Sequence, residues 1–338
     1  MTAGSISASS SRGGPRTDTH RAKPALSAPS PPEPQTADAV LMIRPARFAA
    51  NAETAGTNRF QAARGGRDVA AHAAREFDGL AVALAAAGVR VHAFAGSRAA
   101  SLPDEVFPNN WVSFHADGTA VLYPLLAPSR RRERRPELLR ELEREHGYRL
   151  TRVVDLTHLE QRAQFLEGTG SFVLDRVRRV AYACRSPRTH DAALAEFGRE
   201  LGYETHAFDA TDRDGHAIYH TNVLLSIGTR FAVLCARALR DTEERRRLVD
   251  GLAASREVID LSFEQLHAFA GNLLELRAGG SPLIALSAAA LASLRGAQRR
   301  ALESHGELVV ADVATIEHVG GGSVRCMLAE VALPRVAS

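Results

Sequence analysis

The sequence predicts an α/β fold in one domain, in which five ββαβ units pack around one another as a propeller. Short apolar segments of strand length come in pairs around turn residues, and each pair is followed by a helical segment and another strand. This order recurs every ~50–60 residues, which is typical of repeat architectures. One unit is too small to bury its own sheet, so the units must pack together. Nothing with the composition of a linker interrupts residues 39–338.

The elements follow in order from the start of this domain. The apolar run Ala39–Ile43 reads as a strand ended by Arg44-Pro45, and the Ala-, Leu- and Val-rich residues 66–88 as a helix ended by Gly88. Val89–Phe94 is then a strand. The next unit contains a hairpin around Asp117-Gly118, a helix and a strand, at Trp111–Phe114, Thr119–Tyr123, Pro136–His146 and Leu150–Asp155.

Three more units repeat this order. The predicted strands are Ser171–Leu174, Val180–Cys184, Glu204–Phe208, Asn222–Ile227, Phe231–Cys235, Glu257–Asp260, Leu273–Leu276, Leu283–Ser287 and Glu307–Asp312. The predicted helices are Thr189–Leu201, Thr242–Ser255 and Ser287–His305. The turns between the paired strands of each hairpin contain glycine or charged residues.

Charge argues against a nucleic-acid partner. The 42 Lys and Arg residues are nearly balanced by 39 Asp and Glu, and a nucleic-acid footprint needs a clustered basic stripe. One dense run exists, Arg130-Arg131-Arg132 with Arg134 and Arg135, and glutamates interleave with and follow it. We interpret this run as a solvated helix with charge pairs at three- and four-residue spacing.

Cysteine usage and hydropathy indicate a reducing, aqueous compartment. The three cysteines are not tightly spaced, which is typical of neither a disulfide framework nor a zinc site. We therefore expect a cytoplasmic protein. No run approaches the ~20 apolar residues of a membrane span, so no membrane partner is expected.

Residues 1–38 have a different composition from the rest. They are rich in Pro, Ser and Ala and lack aromatic residues and hydrophobic periodicity, which predicts a disordered tail. The Arg-rich, acid-poor start also resembles an organelle transit peptide, and that alternative stays open.

Cys326 is the first candidate for chemistry. It follows Gly320-Gly321-Gly322 and stands directly after Arg325. Glycines allow close approach of the backbone to a ligand, and a neighbouring Arg with exposed backbone donors favours a thiolate. A lone buried Cys is usually inert, and this is our interpretation of Cys184 and Cys235, which lie in apolar strand patterns. The glycine-rich loop favours a functional role for Cys326.

Three further places in the chain carry polar candidates. His220 lies just before the apolar strand that includes Val223. It could act as an acid and base, or it could be an ordinary surface histidine whose hydrogen bonds are satisfied, and both interpretations stay open. Glu167 stands between apolar residues and glycines, which indicates partial burial. Asn109 and Asn110 precede the only Trp, where paired amides can read a planar polar group or make Asx turns.

Together these segments resemble the guanidine-modifying enzyme superfamily of arginine deiminases, dimethylarginine hydrolases and amidinotransferases, nearest to the citrulline-utilisation hydrolases. The resemblance runs over nearly all of residues 40–335. It is carried by Phe107-Pro108-Asn109-Asn110, Glu167-Gly168-Thr169-Gly170, Ser186-Pro187-Arg188-Thr189, His220-Thr221-Asn222 and, most specifically, Gly321 to Met327. It implies a pentein-like fold, an amidinotransferase-like catalytic domain over residues 39–338, and no metal or organic cofactor.

The resemblance also implies roles for the site residues. Cys326 would be the nucleophile, His220 the acid and base, and Glu167 the residue that holds His220. Arg188 would bind the substrate carboxylate. Asn110 and Asn222 stand where the deiminases of this superfamily have carboxylates.

The two asparagines favour a ureido substrate. An amide cannot offset the charge of a guanidinium as a carboxylate does, but it can both donate to and accept from a neutral ureido group. The prediction is therefore a hydrolase that releases ammonia from a citrulline- or arginine-type amino acid through a covalent Cys adduct. Amidino transfer to an amine and a non-catalytic binding protein are the alternatives. The sequence leaves the exact substrate and a homo-oligomer open.

Overall fold

The core consists of three-stranded sheets with a common pattern. The computed structural model describes residues 1–2, 33–62, 68–98 and 101–336, and Pro32–Ser338 cluster as one unit. The described residues form five sheets, and in each the central strand has one antiparallel and one parallel neighbour. The mixed α/β class and the five repeated units are thereby confirmed.

Four of the sheets come from consecutive chain segments. Their strands are β3 Val112–Phe114, β4 Thr119–Leu122 and β5 Arg152–Asp155; β6 Phe172–Asp175, β7 Val180–Cys184 and β8 Glu204–Phe208; β9 Leu225–Ile227, β10 Phe231–Leu234 and β11 Glu257–Asp260; and β12 Leu274–Ala278, β13 Ser281–Ser287 and β14 Glu307–Ala311. The first two strands of each group form the predicted hairpin, and the third returns parallel to the second.

The remaining sheet joins the two ends of the domain. Its strands are β1 Ala39–Arg44, β2 Arg90–Ala95 and β15 Ala329–Glu330. β15 pairs antiparallel with β1, with Leu41 opposite Ala329 and Val40 opposite Glu330. The sequence pattern did not predict this strand, because a two-residue pairing segment has no periodicity to detect. β15 begins three residues after Cys326 and completes the sheet that β1 and β2 form at the other end of the domain.

Helices connect the strands, and the longer ones bury apolar side chains. They are α1 Ala52–Ala55, α2 Val69–Ala86, α3 Pro128–Arg131, α4 Glu137–His146, α5 Gly168–Ser171, α6 Asp191–Leu201, α7 Thr242–Ala253, α8 Phe263–His267, α9 Ala288–Ser293 and α10 Gly296–His305. In α2 the buried Ala73, Phe77, Leu80 and Leu84 recur every three or four residues, as a helix packed on one face requires.

The prediction of one helix over Ser287–His305 is wrong, because Leu294 and Arg295 interrupt the helix. Both residues have extended backbone conformations. The side chain of Gln298 accepts a hydrogen bond from the Arg295 backbone N–H at 2.8 Å, which starts α10 as a separate helix. The periodicity continues across the break, so the pattern alone could not reveal it.

Residues 33–38 belong to the folded domain, so the predicted boundary at residue 39 is wrong. Glu33 is buried, pairs with Arg176 at 2.5 Å and accepts a hydrogen bond from the Tyr203 hydroxyl at 2.6 Å. Gln35 donates to backbone carbonyls in β6 and β9 at 2.9 and 3.0 Å. Short polar segments of this kind lack an apolar signature. The rest of the predicted tail, residues 3–32, lies outside the described residues.

In the described part of the chain, no helix is both long and apolar enough to cross a bilayer.

Candidate active site

Polar residues stand shortly before the strand that pairs antiparallel with the central strand of each sheet, and the five units bring these residues together. The positions are Asn110 at the end of a 3₁₀ helix before β3, Glu167 ahead of α5 and β6, His220 and Asn222 at the 3₁₀ helix before β9, Asn272 before β12, and Cys326 in the 3₁₀ helix Val324–Met327 before β15. The repeated topology therefore explains why residues more than 200 positions apart lie around one pocket.

This pocket is narrow and is lined mainly by polar and charged side chains. Its lining residues are Thr54, Asn58, Asp104, Phe107, Asn110, Arg130, Arg188, Tyr219, His220, Gly320, Gly321, Gly322 and Cys326. Four of the six residues selected from the sequence are in this lining. The other two, Glu167 and Asn222, contact His220 and Cys326 respectively.

Two amide groups surround the sulfur of Cys326. Asn222 Nδ2 lies 3.5 Å and Asn272 Nδ2 3.3 Å from Sγ, and Cys326 itself is buried. The Asn222 Oδ1 atom is also buried and has no hydrogen-bond partner among the described residues. A buried acceptor without a partner is costly, so this oxygen is suited to receive an N–H group from a ligand bound next to the sulfur.

His220 and Glu167 form a buried pair. Nε2 of the ring lies 2.9 Å from Glu167 Oε2, and both side chains are at most 2% exposed. Burial lowers the pKa of His220 to about 4, although the carboxylate opposes this shift. Burial raises the pKa of Glu167, but Arg188 and His220 outweigh it and hold that pKa below its ordinary value. The resting pair is therefore a neutral imidazole beside an ionised carboxylate.

Arg130 was missed as a site residue, because its run was interpreted as a solvated helix. That interpretation is wrong for Arg130 and Glu133, which are both buried and form a two-pronged ion pair. Arg130 Nη1 also donates to Asn110 Oδ1 at 2.7 Å and lies 3.4 Å from Glu167. Surface and buried arginines look alike in a sequence; only the position of the short helix α3 at the pocket separates them.

Arg188 lines the pocket and is held by several groups. Its guanidinium donates to Thr57 Oγ1 at 2.8 and 3.0 Å and to the Thr54 carbonyl at 3.1 Å. It lies 3.4 Å from Glu167 and 5.0 Å from the centroid of the Tyr219 ring. Binding of a substrate carboxylate, as the sequence predicts, would add to these contacts or replace some of them.

The glycines before Cys326 are required by close contacts. Gly321 has φ +64°, and a Cβ there would lie 2.6 Å from Asn58 Nδ2. Its carbonyl accepts a hydrogen bond from the Tyr219 hydroxyl at 2.5 Å. At Gly322 a Cβ would lie 3.0 Å from the Phe107 ring. A side chain at either position would displace the loop that carries Cys326.

Asn272 is the other residue that sequence reasoning missed. A signal was available: Asn110, Asn222 and Asn272 are each followed by two apolar residues that lead into a hairpin strand. Recognising it requires the units to be aligned on the first strand of each hairpin.

Comparison with known proteins places the chain in a family. The family model for eukaryotic N,N-dimethylarginine dimethylhydrolase matches residues 44–333. No curated protein matches the sequence.

Solved structures share the fold at low sequence identity. The N-terminal domain of ArgZ, a cyanobacterial arginine dihydrolase crystallised with its substrate, is 16% identical with a TM-score of 0.68, over 87% of this chain and 97% of that one. AgrE in complex with L-arginine is 17% identical with a TM-score of 0.68, over 87% of this chain and 40% of that one.

A dimethylarginine dimethylaminohydrolase adduct with 4-chloro-2-hydroxymethylpyridine is 15% identical with a TM-score of 0.58, over 87% of this chain and 99% of that one. At these identities the structures establish the fold alone. The family model covers most of the chain, and it agrees with the resemblance found in the motifs. The chain therefore belongs to the N,N-dimethylarginine dimethylhydrolase family, within the guanidino-modifying pentein superfamily.

Proposed function

We propose that this protein hydrolyses C–N bonds in the guanidino or ureido group of arginine- and citrulline-type amino acids, with Cys326 as the nucleophile. The observation that carries the proposal is the unpartnered Asn222 Oδ1, buried beside a sulfur that two amide groups surround. A planar head group with N–H donors would supply the missing partner and place its central carbon near Sγ. We also propose that the five sheets are the blades of a closed propeller around this pocket.

The first step is attack of the sulfur on the central carbon. The neutral His220 accepts the thiol proton as the S–C bond forms, and the ionised Glu167, 2.9 Å from Nε2, stabilises the resulting imidazolium. His220 then gives this proton to the departing nitrogen, which leaves as ammonia. A water molecule attacks the adduct carbon, His220 takes its proton, and the C–S bond breaks to return the thiol.

Applied to arginine, this cycle consumes one water and gives citrulline and ammonia. A second cycle on the ureido carbon releases another ammonia and leaves a carbamate, which loses carbon dioxide to give ornithine. The neutral ureido group is a suitable partner for the amides, since Asn222 can both accept from its nitrogens and donate to its oxygen. This supports hydrolysis beyond citrulline.

The charges around the pocket suit a zwitterionic amino acid. Arg188 is the candidate for the substrate α-carboxylate, as proposed from the sequence, and Arg130 lies across the same pocket. Asp104 Oδ1 is a buried acceptor without a described partner, while its other oxygen accepts from Asn51 Nδ2 at 2.8 Å. We propose that Asp104 receives the α-ammonium group.

Asn110 also makes hydrogen bonds within the protein. Its Oδ1 accepts from Arg130 at 2.7 Å, and its Nδ2 donates to Asn109 Oδ1 at 3.1 Å and the Glu167 carbonyl at 3.4 Å. These contacts hold Arg130 and the Glu167 loop in place. Both N–H groups of Asn110 are occupied, so a direct contact with the substrate would use the second lone pair of its Oδ1.

Dimethylarginine hydrolysis is the second candidate, and the family model favours it. The same covalent cycle would then expel dimethylamine rather than ammonia. Amidino transfer is a third outcome. In that case the ornithine nitrogen of arginine, rather than ammonia, leaves in the first half of the cycle, and an amine replaces water in the second half.

A substrate panel distinguishes these functions. Arginine, citrulline and asymmetric dimethylarginine are each incubated with wild type and Cys326→Ser, and ammonia, dimethylamine, citrulline and ornithine are quantified. We expect ammonia from citrulline, or two ammonia per arginine, with wild type only. Dimethylamine as the main product would favour the second candidate, and a new guanidino compound formed only with added amine would favour transfer. Equal product from Cys326→Ser would contradict the cysteine mechanism.

A further inference from the structure

Asn272 lies in the loop between α8 and β12 and is fully buried beside the sulfur of Cys326. We propose that Asn272 is a further catalytic residue, whose side-chain N–H stabilises the anionic sulfur during formation and breakdown of the covalent adduct. The inference rests on the proposed function, since it assumes that Cys326 is the nucleophile.

The two hydrogens of the Asn272 amide have different tasks. Nδ2 donates to the Asn222 backbone carbonyl at 2.8 Å, which fixes the side chain against the neighbouring unit. The same nitrogen lies 3.3 Å from Cys326 Sγ, within hydrogen-bond range for sulfur. Asn272 Oδ1 also lies 3.7 Å from the sulfur, where it can accept from the thiol. Because the contact with the Asn222 carbonyl orients the amide, its nitrogen stays within range of the sulfur when the thiol proton has left.

The loop that carries Asn272 is held in a conformation that is unfavourable by itself. Phe269 has φ +58°, a value that a bulky residue rarely adopts. Gly271 packs so closely on the unit of β9–β11 that a Cβ would collide with the Val223 carbonyl. The Asn272 backbone N–H then bonds to the Phe269 carbonyl at 2.8 Å. Local strain of this kind persists where surrounding structure enforces it, and it clusters at functional sites.

The chemistry explains why an amide is suitable there. A sulfur that alternates between thiolate and thioether needs donors whose charge does not change, and Asn222 and Asn272 provide two of them. An acidic residue at position 272 would keep nearly the same shape but would remove the donor and add a negative charge. The substitution Asn272→Asp therefore separates electrostatic stabilisation from packing.

The alternative is that Asn272 only stabilises the loop that carries Asn222 and has no role at the sulfur. In that case its removal would lower thermal stability, and the reactivity of the thiol would follow stability alone. The matched control is Gln265→Glu, which also converts a buried amide of the same unit into a carboxylate. Gln265 bonds to Ser262, Ser293 and Gln298 and has no contact with the sulfur.

The test measures thiol alkylation and turnover in the full-length protein. Iodoacetamide is added at pH 7.5, and the rate of modification at Cys326 is followed by peptide mass spectrometry. Burial raises the pKa of the Cys184 and Cys235 thiols to about 12, so both should react slowly. Melting temperature, kcat and KM are measured alongside for Asn272→Asp, Asn272→Ala and Gln265→Glu.

We expect Asn272→Asp to slow alkylation and lower kcat by at least about tenfold, which is the size of a lost hydrogen bond to a charged group. Asn272→Ala should have a smaller effect, because it removes the donor without adding charge. KM should change little, and Gln265→Glu should alkylate at the wild-type rate even if it melts at lower temperature.

The proposal is overturned if Asn272→Ala and Asn272→Asp alkylate within about twofold of wild type, or if Gln265→Glu slows alkylation as much as Asn272→Asp does. Asn272→Ala decides the matter if the acidic variant does not fold. Alkylation needs no substrate, so this arm still tests Asn272 if no guanidino or ureido compound is turned over, which would instead contradict the proposed function.

Discussion

The amide at position 222 makes a prediction about the charge of the substrate. Asn222 Nδ2 lies 3.5 Å from Cys326 Sγ, and its Oδ1 is free to contact the substrate. The substitution Asn222→Asp replaces a donor to the sulfur with a carboxylate in nearly the same volume. A negative charge then stands beside the attacking thiolate, and it is offset only if the bound substrate is a cation.

The magnitude follows from this distance. Two unit charges 3.5 Å apart repel by about 5 kcal/mol at an effective dielectric constant of about 20. This is an upper bound, since relaxation and ion pairing reduce it. With neutral citrulline we expect kcat/KM to fall by at least about a hundredfold, equivalent to about 3 kcal/mol. With arginine, whose guanidinium contacts the new carboxylate, the loss should be at least about tenfold smaller.

The assay quantifies ornithine and citrulline by chromatography under initial-rate conditions for each substrate. Asn222→Ser, which lacks both the amide and the charge, is the control for lost packing and lost hydrogen bonds. The reasoning is refuted if Asn222→Asp reduces kcat/KM for citrulline and arginine by the same factor. It is also refuted if Asn222→Ser shows the same preference for arginine, because that preference would not come from charge.

Three further predictions concern the surrounding structure. Asn110→Asp should shift the product from ornithine toward citrulline less than Asn222→Asp does, since Arg130, 2.7 Å from Asn110 Oδ1, would pair with the new carboxylate; end-point product ratios test this. The pKa of His220 is lowered to about 4, so the unfolded chain binds this proton first as the pH falls below 6.5. Between pH 7.5 and 5.0 wild type should therefore lose about 2 kcal/mol more unfolding free energy than His220→Asn, measured by urea denaturation, and an equal loss in both would contradict the neutral ring. Deletion of residues 1–32 should leave the melting temperature nearly unchanged, whereas deletion of residues 1–36 should lower it by removing the contacts of Glu33 and Gln35; equal melting temperatures would show that these contacts are dispensable.

Strand pattern was the most predictable part of the fold. Val180–Cys184, Glu204–Phe208 and Glu257–Asp260 have the predicted bounds. Val180–Cys184 is a continuous buried apolar run, whereas the other two strands are largely exposed and were recognised because each follows a helix after a short turn. β15 and the break at Leu294 were not predictable, since one is too short for a period and the other leaves the period intact.

Site residues could be predicted from the sequence where they belong to a recognisable motif. Cys326, His220 and Glu167 stand beside glycines or at the start of strands, and the structure brings them to one pocket; their catalytic roles remain predictions. Arg130 has no such mark, and the mark at Asn272, a preceding glycine and two following apolar residues, is recognised only when the units are aligned with one another. A basic run looks solvated until tertiary packing places one member inward, and Asn272 gains its importance only from the unit that packs on it.

The central claim is that Cys326 forms a covalent bond to the carbon that loses nitrogen. The most direct test is intact-mass and peptide-mapping analysis of wild type and Cys326→Ser, quenched with acid during turnover of arginine and citrulline. The account predicts that Cys326 gains the mass of arginine minus ammonia or of citrulline minus ammonia, because the adduct keeps the ornithine part of the substrate. This added mass should be absent from Cys184 and Cys235 and from the serine variant. Turnover by Cys326→Ser at the wild-type rate, with no adduct on any cysteine of the wild type, would contradict it.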